Sequence, residues 1–155
     1  MTDRDYAEWY LGGLARAKYG LERRQEQLDE LYREVIGVKA IRYDKELIDQ
    51  TPVNTTEEKM AKYLDAARKM EGYIESYIQT KDRLLEQIDE MSNMCEKNGT
   101  KYSQMLYKVY AEEKNMSIVS REMSYSEQHA YRIKGEALDK FYELFLSNMK
   151  DESFM

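Results

Sequence analysis

Within the stretch MSIVSREMSYSEQHAYRIKGEALDKF, residues 116–141, a few polar side chains recur at spacings that suit reading an extended ligand. A glutamine can pair bidentately with adenine and an arginine with guanine, and Gln128 and Arg132 stand one helical turn apart. Taking Ala130, Ile133, Ala137 and Phe141 as a core stripe at the helical rotation per residue, the opposite face holds Gln128, Arg132 and Gly135, with Tyr131 on its flank. Gly135 removes a side chain where another backbone can come close. Arg121, Lys114, Lys108 and Lys101 are cations that can follow phosphates without reading sequence. His129 lies beside the outward face and either touches a phosphate when protonated or, the favoured expectation, rests against the neighbouring helix.

The element that must hold these groups is a pair of short helical patterns divided by the polar triplet Ser124, Tyr125 and Ser126, the outline of a helix-turn-helix. Ser126 can cap the second helix, and Ser120 is small where the first helix packs against it. Ser124 stands where glycine best takes the turn, and Glu127 suits the helix dipole but repels phosphate. A capped structural corner with ordinary surface charge stands beside the nucleic-acid reading on these residues alone. Ahead of the corner, KYSQMLYKVYAEEKN supplies a third helix with Met105, Leu106 and Val109 inward, joined by Tyr102 and Tyr110. Ile118, Val119, Met123 and Leu144 complete the expected core.

Upstream the chain reads as scaffold. Tyr10, Leu14, Ala17, Leu21, Leu28, Leu31 and Val35 form a heptad-like seam that Arg24 interrupts, which predicts a helix over about 14–36. Gly12 and Gly13 set TDRDYAEWYL apart as a short turn or frayed lead-in, with Trp9 and Tyr10 available as an anchor. Residues 37–55, which lose the seam and include the single proline, Pro52, read as a linker. Thr55 and Glu58 match a capping box, so a second helix should start near Thr56 and run to about residue 97. Its seam of Met60, Ala67, Ile74, Lys81, Ile88 and Cys95 is filled by Tyr63, Met70, Tyr77, Leu84 and Met91, which calls for a coiled-coil partner within the chain or in a second copy. Asn98 and Gly99 suit the left-handed conformation that ends a helix. The expected architecture is all-α: a long antiparallel helical hairpin over 1–99, a tri-helical helix-turn-helix domain over 100–147 and a tail over 148–155.

Composition bounds the function. The net charge of −6 is uneven: residues 1–99 carry −5, whereas residues 100–150 carry +1. A neutral module on an acidic scaffold binds DNA only if its few cations share a face, and its non-specific affinity is then modest. Cys95 is the lone cysteine, which fits a reducing cytoplasm and excludes an internal disulfide. The start, MTDRDYAEWYLGG, lacks a basic stretch followed by an apolar one, and no apolar run is long enough to span a membrane. With His129 the sole histidine, no His–His metal site or neighbouring Cys–His pair can form, and no glycine-rich phosphate loop is present. Glu22, Glu26 and Glu30 line up at helical spacing, but such a run is usually a solvated face. No enzyme, cofactor or metal is expected.

Residues from about Lys101 to Phe145, above all LYKVY, IVSREM and SYSEQHAYRIKGEAL, resemble the C-terminal part of small phage and prophage regulators of the ArpU type. These carry a helix-turn-helix similar to region four of bacterial sigma factors. The resemblance implies a cytoplasmic regulator of phage-gene transcription that binds double-stranded DNA and can contact host RNA polymerase. It places Ser126, Glu127, Gln128, Tyr131 and Arg132 on groove-facing positions. Ala130, where a larger aliphatic is usual, and Ser124, where glycine is usual, depart from the family pattern. Two other readings stay open beside it: a DNA-packaging component resembling a small terminase subunit, and a structural coiled-coil adaptor that does not bind DNA. The two interrupted seams also predict a homo-oligomer.

Overall fold

The computed structural model describes residues 1–44, 53–95 and 97–149. It is all-α, with no strand among the described residues. Among the described residues six α-helices follow in order: α1 (Asp3–Leu11), α2 (Gly13–Asp44), α3 (Val53–Met94), α4 (Gly99–Leu106), α5 (Met116–Glu122) and α6 (Glu127–Phe141). α4 and α6 run on without a break into π-helical turns, Tyr107–Ala111 and Tyr142–Leu146.

The expected frayed lead-in is instead the well-capped α1. The Thr2 hydroxyl accepts from the Asp5 amide at 3.1 Å, and the Asp5 carboxylate accepts from the Thr2 amide at 3.2 Å, which satisfies two amides that a helix start leaves unpaired. These same bonds hold the exposed Asp5 carboxyl below its ordinary value. The expected linker is shorter at both described ends. α2 continues through residue 44, because residues 37–44 lose the seam but contain good helix formers and no proline. α3 begins by Val53, ahead of the expected capping box, and Thr56 is buried within the helix with its hydroxyl unpartnered. Residues 45–52 of that linker, with Pro52, and residues 150–155 of the tail lie outside the described residues.

Two compact units divide the chain, and the division does not follow the boundary expected at residue 99. One unit joins Met1–Ala17 to Gln79–Met155; the other is Lys18–Ile78. The reason is apolar surface at both ends of the scaffold. α1 turns Ala7 and Leu11 inward, and the last turns of α3 with the residue after it contribute Leu84, Ile88, Met91 and Cys95, all buried. These surfaces pack with the C-terminal helices: α1 lies on α6, and the Ser103 hydroxyl of α4 donates to the Ile88 carbonyl at 2.8 Å.

In Lys18–Ile78, α2 and α3 meet in opposite chain directions. Tyr32 stacks on Tyr63 at 5.6 Å between ring centroids, and Arg24 lies 3.7 Å over the Tyr73 ring. The residue that interrupts the α2 seam is thus accommodated by a cation–π contact.

The core around the corner is Met105, Met116, Val119, Ala130 and Ile133, flanked by Tyr102, Val109, Met123 and Tyr125. Two expected positions differ. Ile118 is 39% exposed and Met116 is buried in its place. Leu144 is only half-buried while Leu146 is fully buried, because a π-helical turn takes up one extra residue and rotates the side chains beyond it.

The junction of α3 and α4 sets a sharp steric test. Asn98 takes the left-handed conformation, at φ 61°, and Gly99 does not. Gly99 is required for approach: a Cβ there would lie 2.8 Å from the Met91 carbonyl oxygen and 3.0 Å from the Cys95 Cβ. At Gly72, inside α3, a Cβ would meet nothing within 4 Å. Gly99→Ala should therefore destabilise the protein by about 1–3 kcal/mol through overpacking. Gly72→Ala should stabilise it by about 0.5–1 kcal/mol through helix propensity. Thermal or urea unfolding of the two variants should shift in opposite directions.

Candidate nucleic-acid interface

The corner is built from backbone bonds that the sequence makes available. Asn115 caps α5 through Ile118 N at 3.0 Å, and Ser126 caps α6 through His129 N at 3.2 Å. Between the helices, the Tyr125 amide reaches back to the Ser120 carbonyl at 2.8 Å and the Ser124 amide to Arg121 at 3.2 Å. Ser124 takes φ 61°, the left-handed conformation that glycine tolerates best. Ser120 is buried, with its hydroxyl donating to the Ser117 carbonyl at 2.8 Å, so its small size lets α5 close on α6. Ala130 is fully buried in the same core cluster as Met105 and Met116, whose side chains are pliable enough to pack on a small neighbour.

This packing divides α6 lengthwise. Its buried residues are Ala130, Ile133, Gly135, Ala137, Leu138 and Phe141. Glu127, Gln128, Tyr131 and Arg132 are exposed on the N-terminal half, Tyr131 at 56%. The expected outward position of Gly135 is corrected: its Cα is covered by α1, and a Cβ there would lie 2.5 Å from the Arg4 Nη1. Arg4 pairs with Asp139 through Nε at 3.0 Å and Nη2 at 2.6 Å, and the Lys134 Nζ lies 3.2 Å from Glu8. The carboxylate of Asp139 raises Arg4 above its ordinary value, the hydrogen bond being the largest cause. α1 thereby reserves the C-terminal half of α6 and leaves the N-terminal half open.

Ser126, Gln128, His129 and Arg132 come together as the lining of one shallow open depression. The Arg132 Nη2 lies 2.8 Å from the His129 Nδ1, and the His129 ring stands edge-on to Tyr125 at 4.5 Å. The guanidinium carries only donors, so Nδ1 is the accepting atom of this contact. His129 therefore rests on the turn and steadies Arg132. Sequence spacing offered a signal for this pair, residues three apart on one helix face, but the hydrogen bond depends on the ring orientation that Tyr125 sets.

The four rim cations are not equivalent. Arg121 is exposed and makes long contacts of 3.4 Å to the Ser117 carbonyl and hydroxyl. The Lys101 ammonium lies 5.7 Å from the centroid of the Tyr125 ring, beside the turn. Lys114 and Lys108 are engaged elsewhere: Lys114 reaches Glu112 at 2.6 Å and Glu122 at 2.8 Å, and Lys108 reaches Glu122 at 2.8 Å. That cluster is neutral as a whole and ties the end of the first π-helical turn to α5. The phosphate role expected of Lys114 is accordingly weakened, because its charge is already matched.

Hydrogen bonds from Lys108 and then Lys114 hold the Glu122 carboxyl below its ordinary value of 4.5. A depressed carboxylate contributes stability above its unfolded value and loses it as pH falls through its folded one. The thermal midpoint of the wild type should therefore fall between about pH 5 and about pH 3, and that of Glu122→Gln should fall less over the same interval. Ser124→Gly should raise stability by about 0.5–1 kcal/mol, the relief of the left-handed strain exceeding the added backbone entropy. Thermal denaturation of both variants checks the two expectations. Comparison with family models, with curated proteins and with solved structures finds no match to this chain.

Proposed function

We propose that the chain is a sequence-specific DNA-binding regulator of phage-gene transcription, with α5, the Ser124–Ser126 turn and α6 acting as a helix-turn-helix akin to sigma-factor region four. The observation that carries this reading is the division of α6. Its buried stripe is covered by α4 and α5 and its C-terminal half by α1, while Gln128, Tyr131 and Arg132 are exposed in a row near its N-terminus. That is the end a recognition helix presents to the major groove. In this reading Gln128 and Arg132 supply the base-edge contacts, Tyr131 contributes an amphipathic ring, and Arg121 and Lys101 lie against phosphates. Ser126 sets the start of the reading helix, and Glu127 discourages non-specific phosphate binding at its tip. Double-stranded DNA is the partner, and few phosphates are neutralised, so specificity rests on a small number of base contacts.

Selection of bound sequences from a random duplex pool should enrich one motif. Arg132→Ala should leave the thermal midpoint nearly unchanged, since the side chain is exposed. It should weaken binding to the selected site by ~1–3 kcal/mol and relax discrimination at one position. A uniform loss across sequences, with the salt slope reduced by about one, would make Arg132 a phosphate contact. No enrichment, together with unaltered affinity in this variant, would leave the corner purely structural.

A further inference from the structure

The unit Lys18–Ile78 is thinly packed for its length. Among its described apolar residues only Val35 and Met70 are buried. The face of α3 turned to α2 runs through Tyr63, Ala66, Met70 and Tyr73. Beside it lies another strip, Met60, Leu64, Ala67, Glu71, Ile74 and Ile78, spaced alternately by four and three residues. That alternation is the spacing of a coiled-coil seam. Leu64 is 54% exposed, Ile74 39% and Ile78 50%. Met60 and Ala67 are half-buried, and the single charge in the strip is the exposed Glu71. α3 therefore carries two adjacent seams, of which α2 covers one.

Charge decides what fits the second. Arg68 and Glu75 are exposed on its outer flank and sit one heptad apart. Parallel pairing of two copies in register would set Glu71 against Glu71 in the middle of the seam, which like-charge repulsion opposes. Antiparallel pairing about a two-fold axis near Gly72 sets Glu71 beside Ile74 of the other copy and Ala67 against Ile78. It also brings Arg68 of each copy to Glu75 of the other, twice. Leu64 then lies opposite Lys81 of the other copy and Met60 opposite Leu85, so the seam continues from the strip into the next turns of α3, and each contact occurs twice, as an isologous interface requires.

We propose that the Met60–Ile78 strip of α3 is the homodimer interface of this protein, closed by a second copy running antiparallel with reciprocal Arg68–Glu75 pairs. This assignment is independent of DNA binding. Sedimentation of the full chain at about 50 µM should show a dimer, because a Kd of about 1–10 µM would leave most chains assembled there. The variant carrying Ile74→Glu and Ile78→Glu, the first of which sets a carboxylate against Glu71 of the other copy, should be a monomer with unchanged helix content by circular dichroism. Arg68→Glu should weaken association about tenfold, and Arg68→Glu combined with Glu75→Arg should recover most of that loss. A monomeric wild type overturns the proposal, as does an assembly indifferent to the two glutamate substitutions. A double charge reversal no tighter than the single overturns the antiparallel register. Should the glutamate variant lose helix, the charge-reversal series, confined to exposed side chains, decides the matter alone.

Discussion

Burial of the apolar stripe of α6 is the constraint on which the first unit depends. Ala130 and Ile133 close the small core with α4 and α5, and Ala137, Leu138 and Phe141 continue it toward the helix end. α1 answers that end with aromatic contacts, Tyr10 to Phe141 at 5.9 Å and Tyr6 to Tyr142 at 6.1 Å. Magnitudes rank the contributions. The Arg4–Asp139 pair is half exposed and of a kind worth about 0–1 kcal/mol. Burying a single leucine, as at Leu11, is worth about 1.5–3 kcal/mol. Apolar contact thus holds α1 in place, and the ion pairs around Gly135 set its register on α6.

The same economy shapes the electrostatics of the corner. Three of the acidic groups near it, Glu112, Glu122 and Glu136, are engaged with Lys114, Lys108 and the Tyr102 hydroxyl. Burial and then the bond to Glu136 push the Tyr102 hydroxyl above its ordinary value, so it remains a donor at any physiological pH. What is left outward is a short row of polar side chains with Arg132 beside His129. In the proposed reading, a surface of this kind gains little from bulk phosphate attraction, and its discrimination has to come from geometry. The cap at Ser126 and the edge-on contact of Tyr125 with His129 supply that geometry from within the turn.

Lys18–Ile78 follows a different rule. Two helices share one seam and leave the rest of their surface to water, which suits α2, where charged residues dominate the exposed positions. α3 does not obey this, since its apolar arc is wider than one partner can cover. The cost of Gly72 in a helix interior, with no close neighbour to explain it, is borne in the same stretch.

The sequence by itself determined the helical class, the two long helices, the capped corner at Ser124–Ser126 and the exposed row of Gln128, Tyr131 and Arg132. Each of these follows from local periodicity or from the hydrogen-bonding reach of a neighbouring side chain, which operate within a few residues. Tertiary structure alone decided that TDRDYAEWYL is a docked helix, that Gly135 lies beneath Arg4, that Lys114 is held by Glu112 and Glu122, and that Met116 replaces Ile118 in the core. In the first two cases the partners are separated by most of the chain. In the others the deciding factor is where a loop or a π-helical turn rotates the next residues, and no pattern read along one helix carries that information.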